Sequence, residues 1–236
     1  MKGIYRRIIL STLLLALPIS GIAADVNNMF GVWGSVTLQG DFKAVSPKLE
    51  KYNWFIMNQT RTRDDSPKGS RFTENILFAQ LGYQLNKHAS VWLGYVHEWG
   101  DPLNKLSFQE SRPYQDFVWK LDFSNAKFIS RTRMDERIHL TTGDVGYRPR
   151  QLLQISYPLP FLDGLNAYVG DEVLFYINKN QFGKQGFSEN RILSGLSYKL
   201  TQHMGVDLGY IGQYVDTQSG NNIFTHNLQI NIAYKF

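Results

Sequence analysis

The chain of 236 residues contains no cysteine, which excludes a disulfide framework and any thiolate-held metal or redox centre. After residue 24 no stretch approaches the roughly 18 consecutive apolar residues of a membrane-crossing helix. His-x-x-x-His pairs, Gly-rich phosphate loops and zinc spacings are also missing, so no metal and no cofactor is assigned. There is no Pro/Ser-rich linker or low-complexity tract, and residues 25–236 are expected to form one domain.

What is present begins with a charged end (Lys2, Arg6, Arg7), an apolar run from Ile8 to Ile19 and the small residues Gly21-Ile22-Ala23-Ala24. That order predicts a secretory signal peptide over 1–24, cleaved after Ala23 or Ala24. Its apolar run is too short for an anchor helix, which needs roughly 20 residues. Removing three cations and no anion leaves 22 Lys+Arg against 20 Asp+Glu. The basic balance then nearly vanishes, and with it the case for a nucleic-acid partner.

At the other end, the final nine residues alternate without a break. Leu228, Ile230, Ile232, Tyr234 and Phe236 share one face, and Gln229, Asn231, Ala233 and Lys235 share the other. This is a strand with one apolar and one polar side. It resembles the C-terminal strand of bacterial outer-membrane β-barrels, and Tyr234 and Phe236 are similar to the signal read by the barrel-assembly machinery. Asn231 departs from that pattern by standing where Gly is usual.

Strand-like runs recur about every 20 residues, at 29–42, 51–63, 71–85, 88–100, 111–123, 127–139, 147–159, 164–178, 187–200, 204–216 and 223–236. Most carry a one-sided apolar stripe, such as Leu77, Ala79, Leu81, Tyr83 and Leu85. Short connections alternate with longer polar ones at 64–70, 101–110, 140–146, 179–186 and 217–222. Short periplasmic turns and longer outer loops characterise outer-membrane barrels, and aromatic strand ends suit their interfacial girdles. The fold expected is therefore all-β, a transmembrane antiparallel up-and-down β-barrel of about 10–12 strands. Eleven visible runs conflict with the even number usual for such barrels. Either a further strand is hidden near 25–35, with a break around Gly34, or part of 29–42 lies outside the wall.

If the apolar stripes face lipid, the opposite faces define a charged interior. Arg131, Arg133, Asp135 and Arg137 occupy alternate positions of one strand; Arg61 and Arg63 share a face of another; and Arg148 and Arg150 lie on a third. Glu74, Glu98, Asp116, Glu172 and Asp207 supply opposing charge. Aligning strands about their turns sets Glu172 near Arg150 and Arg191, to within about two residues. Arginine holds carboxylates and phosphates by two-point contacts, so the cluster fits either an anion-selective passage or an internal salt-bridge network that fills a narrow barrel.

The histidines give no catalytic constellation. His88 and His203 fall at turns, and His97 and Glu98 point to opposite faces. His139 shares a face with Asp135 but has only Thr141 and Thr142 as nearby hydroxyls, and His226 faces outward at the rim. Adjacent acids such as Asp135-Glu136 and Asp171-Glu172 likewise diverge, and Asp64, Asp65 and Ser66 are a weak loop site for calcium. No catalytic residue is assigned.

Phe30-Gly31-Val32-Trp33, the run Arg131 to Arg137, Asp171-Glu172 and the segment Glu189 to Leu196 together resemble a family of short Gram-negative outer-membrane barrels catalogued only as a domain of unknown function. The resemblance implies the bacterial outer membrane as location and its lipid and the assembly machinery as partners, and it transfers no activity. The expected function is a narrow pore or lumenal binding site for small anionic solutes. The alternatives are a barrel-embedded lipid hydrolase or acyltransferase, and a structural barrel whose outer loops bind a partner or glycan.

Overall fold

The computed structural model describes residues 26–64, 68–103 and 106–236; the expected signal peptide lies outside them. Eleven strands close into an up-and-down barrel in chain order. They are β1 (Asn27–Asp41), β2 (Tyr52–Asp64), β3 (Ser70–Gln84), β4 (Ala89–Gly100), β5 (Phe108–Phe123), β6 (Ala126–His139), β7 (Val145–Pro158), β8 (Leu165–Tyr176), β9 (Gly186–Lys199), β10 (Met204–Val215) and β11 (Ile223–Lys235). Each lies within three residues of its predicted bounds, because period-2 alternation and turn residues mark strand limits directly.

The odd count is real, and both expected ways around it fail. β1 is continuous through Gly34 and wholly in the wall: it pairs with β2 from Trp33↔Arg61 to Asp41↔Asn53, and with β11 from Asn27↔Ile223 to Gln39↔Lys235. Ten hairpin reversals leave the first and last strands running the same way, so closure has to be parallel. Consequently the start of β1 lies at one end of the barrel and the end of β11 at the other. The seam is finished by Phe236, whose N–H donates to the Gln39 carbonyl at 2.9 Å and whose ring meets Trp54 of β2 at 5.5 Å.

At the end where β1 starts, the loop end, the chain passes from β2 to β3, β4 to β5, β6 to β7, β8 to β9 and β10 to β11; the opposite, turn end carries 85–88, 124–125, 159–164 and 200–203. Two turn-end connections break the expected contrast: 159–164 is longer than 140–144 at the other end, and 42–51 is longer still and contains a 3-10 turn at Pro47–Leu49, capped by Ser46.

Polarity is inverted relative to a soluble core. Leu77, Leu81, Leu153, Ile155, Leu228 and Ile232 point outward and are exposed. Among the described residues twenty buried side chains are polar or charged and ten are hydrophobic, so the interior cannot be held by apolar burial alone. A smaller apolar cluster does fill one side of it, with Ile76, Phe78, Val96 and Tyr114 packed against Phe55 and Met57. Glycine makes room there: a Cβ on Gly94 would sit 2.2 Å from the Tyr114 ring, and one on Gly82 would sit 2.4 Å from Trp92.

Two tests follow. Cysteines at Val36 and Ile232, paired in register across the seam, are expected to form an oxidised cross-link visible as a gel shift, since strands lie about 4.8 Å apart. Absence of the link, with the barrel folded, would place β1 outside the wall. Gly94→Ala is expected to destabilise by about 1–3 kcal/mol through overpacking, read from urea unfolding.

Candidate functional site

Alternation sends every second residue of a strand inward, and register decides which charges meet. Arg133 faces Asp116 across β5 and β6 and donates twice to it, at 2.6 and 2.6 Å. Asp135 faces Arg148, which donates to its Oδ2 at 3.1 and 2.8 Å. Arg61 faces Glu74 at 2.7 Å, with Arg63 3.9 Å from the same carboxylate.

Register also sets like charges side by side, and those positions explain the diagonal contacts. Glu98 and Glu110 are direct partners on β4 and β5, and Arg112 donates to both at 2.6 Å. Arg133 and Arg150 are direct partners on β6 and β7. The first turns to Asp116, and the second turns to Asp135 at 3.3 Å and to Glu172 at 2.8 Å. Glu172 is the hub, accepting from Arg131 at 2.8 Å, from Arg150, and from Arg191 at 3.4 Å. Arg191 also bonds Glu189. Arg137 donates to Glu110 at 2.8 and 2.5 Å and to the Tyr176 hydroxyl at 2.6 Å.

The result is one belt in the half of the interior nearer the loops. All ten charged residues expected in the cluster belong to it, from Arg61 and Arg63 through Arg131, Arg133, Asp135, Arg137, Arg148, Arg150 and Glu172 to Arg191. The expected approach of Glu172 to both Arg150 and Arg191 is present. Asp207 is not part of the belt; it accepts from Asn231 instead, at 2.8 Å. Glu110, Arg112 and Glu189 were missed. The signal was there, since Glu110-x-Arg112-x-Tyr114-x-Asp116 alternates, but the strand was expected to begin at 111 and Pro113 interrupts its pattern. Register shifts next to Arg61 and Leu174 bend the wall at the belt, as bulges do beside functional positions.

Nine arginines meet seven carboxylates in these pairs. Two guanidinium nitrogens of the belt, Arg63 Nη1 and Arg131 Nε, are buried without a hydrogen-bond partner, as is Asp135 Oδ1. A cavity of about 1070 Å³ adjoins the belt, its lining running from Lys120 and Ala233 at the turn end to Thr217 and Ser219 at the loop end. Over the loop-end mouth, 177–185 folds inward: Arg137 lies 4.1 Å from the Phe182 ring, and Gln181 N–H donates to Asp144 at 2.6 Å.

The histidines are spread over the molecule. His88 and His203 bond the backbone carbonyls of Lys120 and Lys235, at 3.0 and 2.8 Å, and so brace the turn end. His97 bonds Gln109, and His226 bonds Tyr210. His139 Nδ1 has no hydrogen-bond partner, Asp135 included, and its ring lies against Phe108 and Phe182. Asp65 and Ser66 of the expected loop site lie outside the described residues.

The sequence model of a family described as Protein of unknown function (DUF2490) matches residues 30–224. This chain belongs to that family. The DUF2490 match covers β1 from Phe30 through β10 and stops as β11 begins, so the belt lies wholly within it. The chain is also 28% identical over 170 residues to an uncharacterized protein of Methylorubrum extorquens, covering 71% of this chain and 75% of that one.

Removing one partner of a buried ion pair strands the others. Glu172→Gln is therefore expected to cost about 3 kcal/mol of unfolding free energy. Arg71→Gln, at the exposed pair with Asp101, should change it by less than about 1 kcal/mol. Urea unfolding followed by tryptophan fluorescence distinguishes them, and equal shifts would mean that the belt is as weak as a surface pair.

Proposed function

We propose that this DUF2490 barrel spans the bacterial outer membrane, after loss of a signal peptide, and admits or holds small anionic solutes in its interior. The observation that carries the reading is the arginine excess of the belt around a cavity whose lining runs from one end of the barrel to the other. Fixed positive charge inside low-dielectric walls concentrates anions. The outward band of Leu, Ile and Val edged by Tyr, Trp and Phe supports the membrane location, because soluble monomers seldom expose contiguous apolar surface on this scale.

The assembly reading of Tyr234 and Phe236 places the turn end in the periplasm. With the turn end periplasmic, the parallel seam supports a start of β1 that faces the cell surface. An epitope inserted between Ala24 and Asn27 is expected to be labelled on intact cells; labelling only after permeabilisation would reverse this orientation.

Single-channel recording in a planar bilayer under a salt gradient tests the function. A steady conductance with an anion-selective reversal potential is expected. Arg131→Gln is the informative variant, because its side chain is the most open of the paired belt arginines at 26% exposure. Arg133→Ala would instead strand the buried Asp116. Arg131→Gln should move the reversal potential toward zero. A folded barrel with neither conductance nor phosphate binding would overturn the reading and leave the belt as internal packing.

A further inference from the structure

On β6, β7 and β9 the belt has an apolar edge, while Gln59, Asp207 and Asn231 keep the side nearer the seam polar. On β6 the inward residue one step toward the turn end from Arg131 is Ile129; on β7 the step from Arg150 leads to Leu152; on β9 the step from Arg191 leads to Leu193. Phe55 and Met57 face the same cavity from β2, and all five are only half-buried. A passage for hydrated ions gains nothing from an apolar patch wetted by its own water, whereas a cavity that accepts an apolar chain gains by releasing that water.

Arg131 joins the two zones. It lies in register with Leu152 on β7, has Ile129 as its neighbour on the same face, and carries a buried Nε–H with no protein acceptor. Its single protein partner, Glu172, is shared with two other arginines. We infer that the cavity binds an amphipathic anion, a single-chain molecule with a phosphate or carboxylate head at Arg131 and an apolar tail against Ile129, Leu152, Leu193 and Met57. This rests on the reading of the interior as an anion site and narrows its ligand class. The cavity, at about 1070 Å³, is of the size that holds such a ligand.

The test is isothermal titration calorimetry of the folded, full barrel in lipid nanodiscs, with inorganic phosphate, octyl phosphate and 1-octanol as probes and empty nanodiscs subtracted. Octyl phosphate is expected to bind at least tenfold more tightly than phosphate. Arg131→Gln should weaken both at least tenfold, and Leu152→Asn should weaken octyl phosphate alone. Ile129→Thr serves in place of Leu152→Asn if that variant fails to fold. Equal affinity for phosphate and octyl phosphate would overturn the amphiphile inference and leave the anion site standing. No binding of either would overturn both. Octyl phosphate or octanol heats that are the same in wild type and both variants would report partition into the bilayer and also overturn it.

Discussion

A guanidinium enclosed by a closed sheet has lost most of its water and must be met by a carboxylate. In this barrel that requirement governs the interior, because buried charge and polarity outnumber buried apolar side chains. Each ion pair fixes the register of two strands. Sliding β6 by one residue against β5 would turn Arg133 outward and leave Asp116 facing no cation. The like-charge neighbours Glu98 and Glu110, and Arg133 and Arg150, would repel if considered in isolation. They are tolerated because Arg112 spans the first pair, and because Asp116 and Glu172 draw the arginines of the second apart. The belt thus behaves as a network, in which removal of a hub such as Glu172 strands several partners.

Barrel closure imposes a second constraint. With eleven strands the last bonds cannot be antiparallel, so β1 and β11 join in the geometry that is slightly weaker per residue. The seam compensates in length, and in side-chain contacts such as Ser35 and Thr37 donating to Asn231. Asn231, the departure from the usual terminal-strand pattern, therefore has a role that glycine could not fill. It accepts from both hydroxyls on β1 and donates to Asp207 on β10, tying the seam to the next strand.

The interior also shows how a narrow barrel divides its labour. Toward the loops, arginine, carboxylate and tyrosine crowd together under Phe182; toward the turns, apolar and amide side chains, with Asp207, line the cavity. Large rings such as Tyr114 and Trp92 rest against Gly94 and Gly82, where any side chain would displace them. A positively biased belt beside a chamber with an apolar patch is an arrangement that neither a simple water-filled passage nor a solid plug requires.

The sequence by itself determined the all-β class, the approximate bounds of the strands and which charges share a face within one strand, since period-2 alternation is a local property that needs no partner; the strand number it left between ten and twelve. Arg131, Arg133, Asp135 and Arg137 could be set inside from their spacing alone, and the link from Glu172 to Arg150 and Arg191 followed from counting residues back from the turns. Only the tertiary structure decided how β1 closes the barrel, because parallel pairing joins residues some two hundred positions apart that share no local signal. It alone decided that Arg112 bridges two glutamates and that Arg131 is left with a free N–H. Such outcomes depend on register summed around a closed ring, where one strand's offset alters every neighbour it faces.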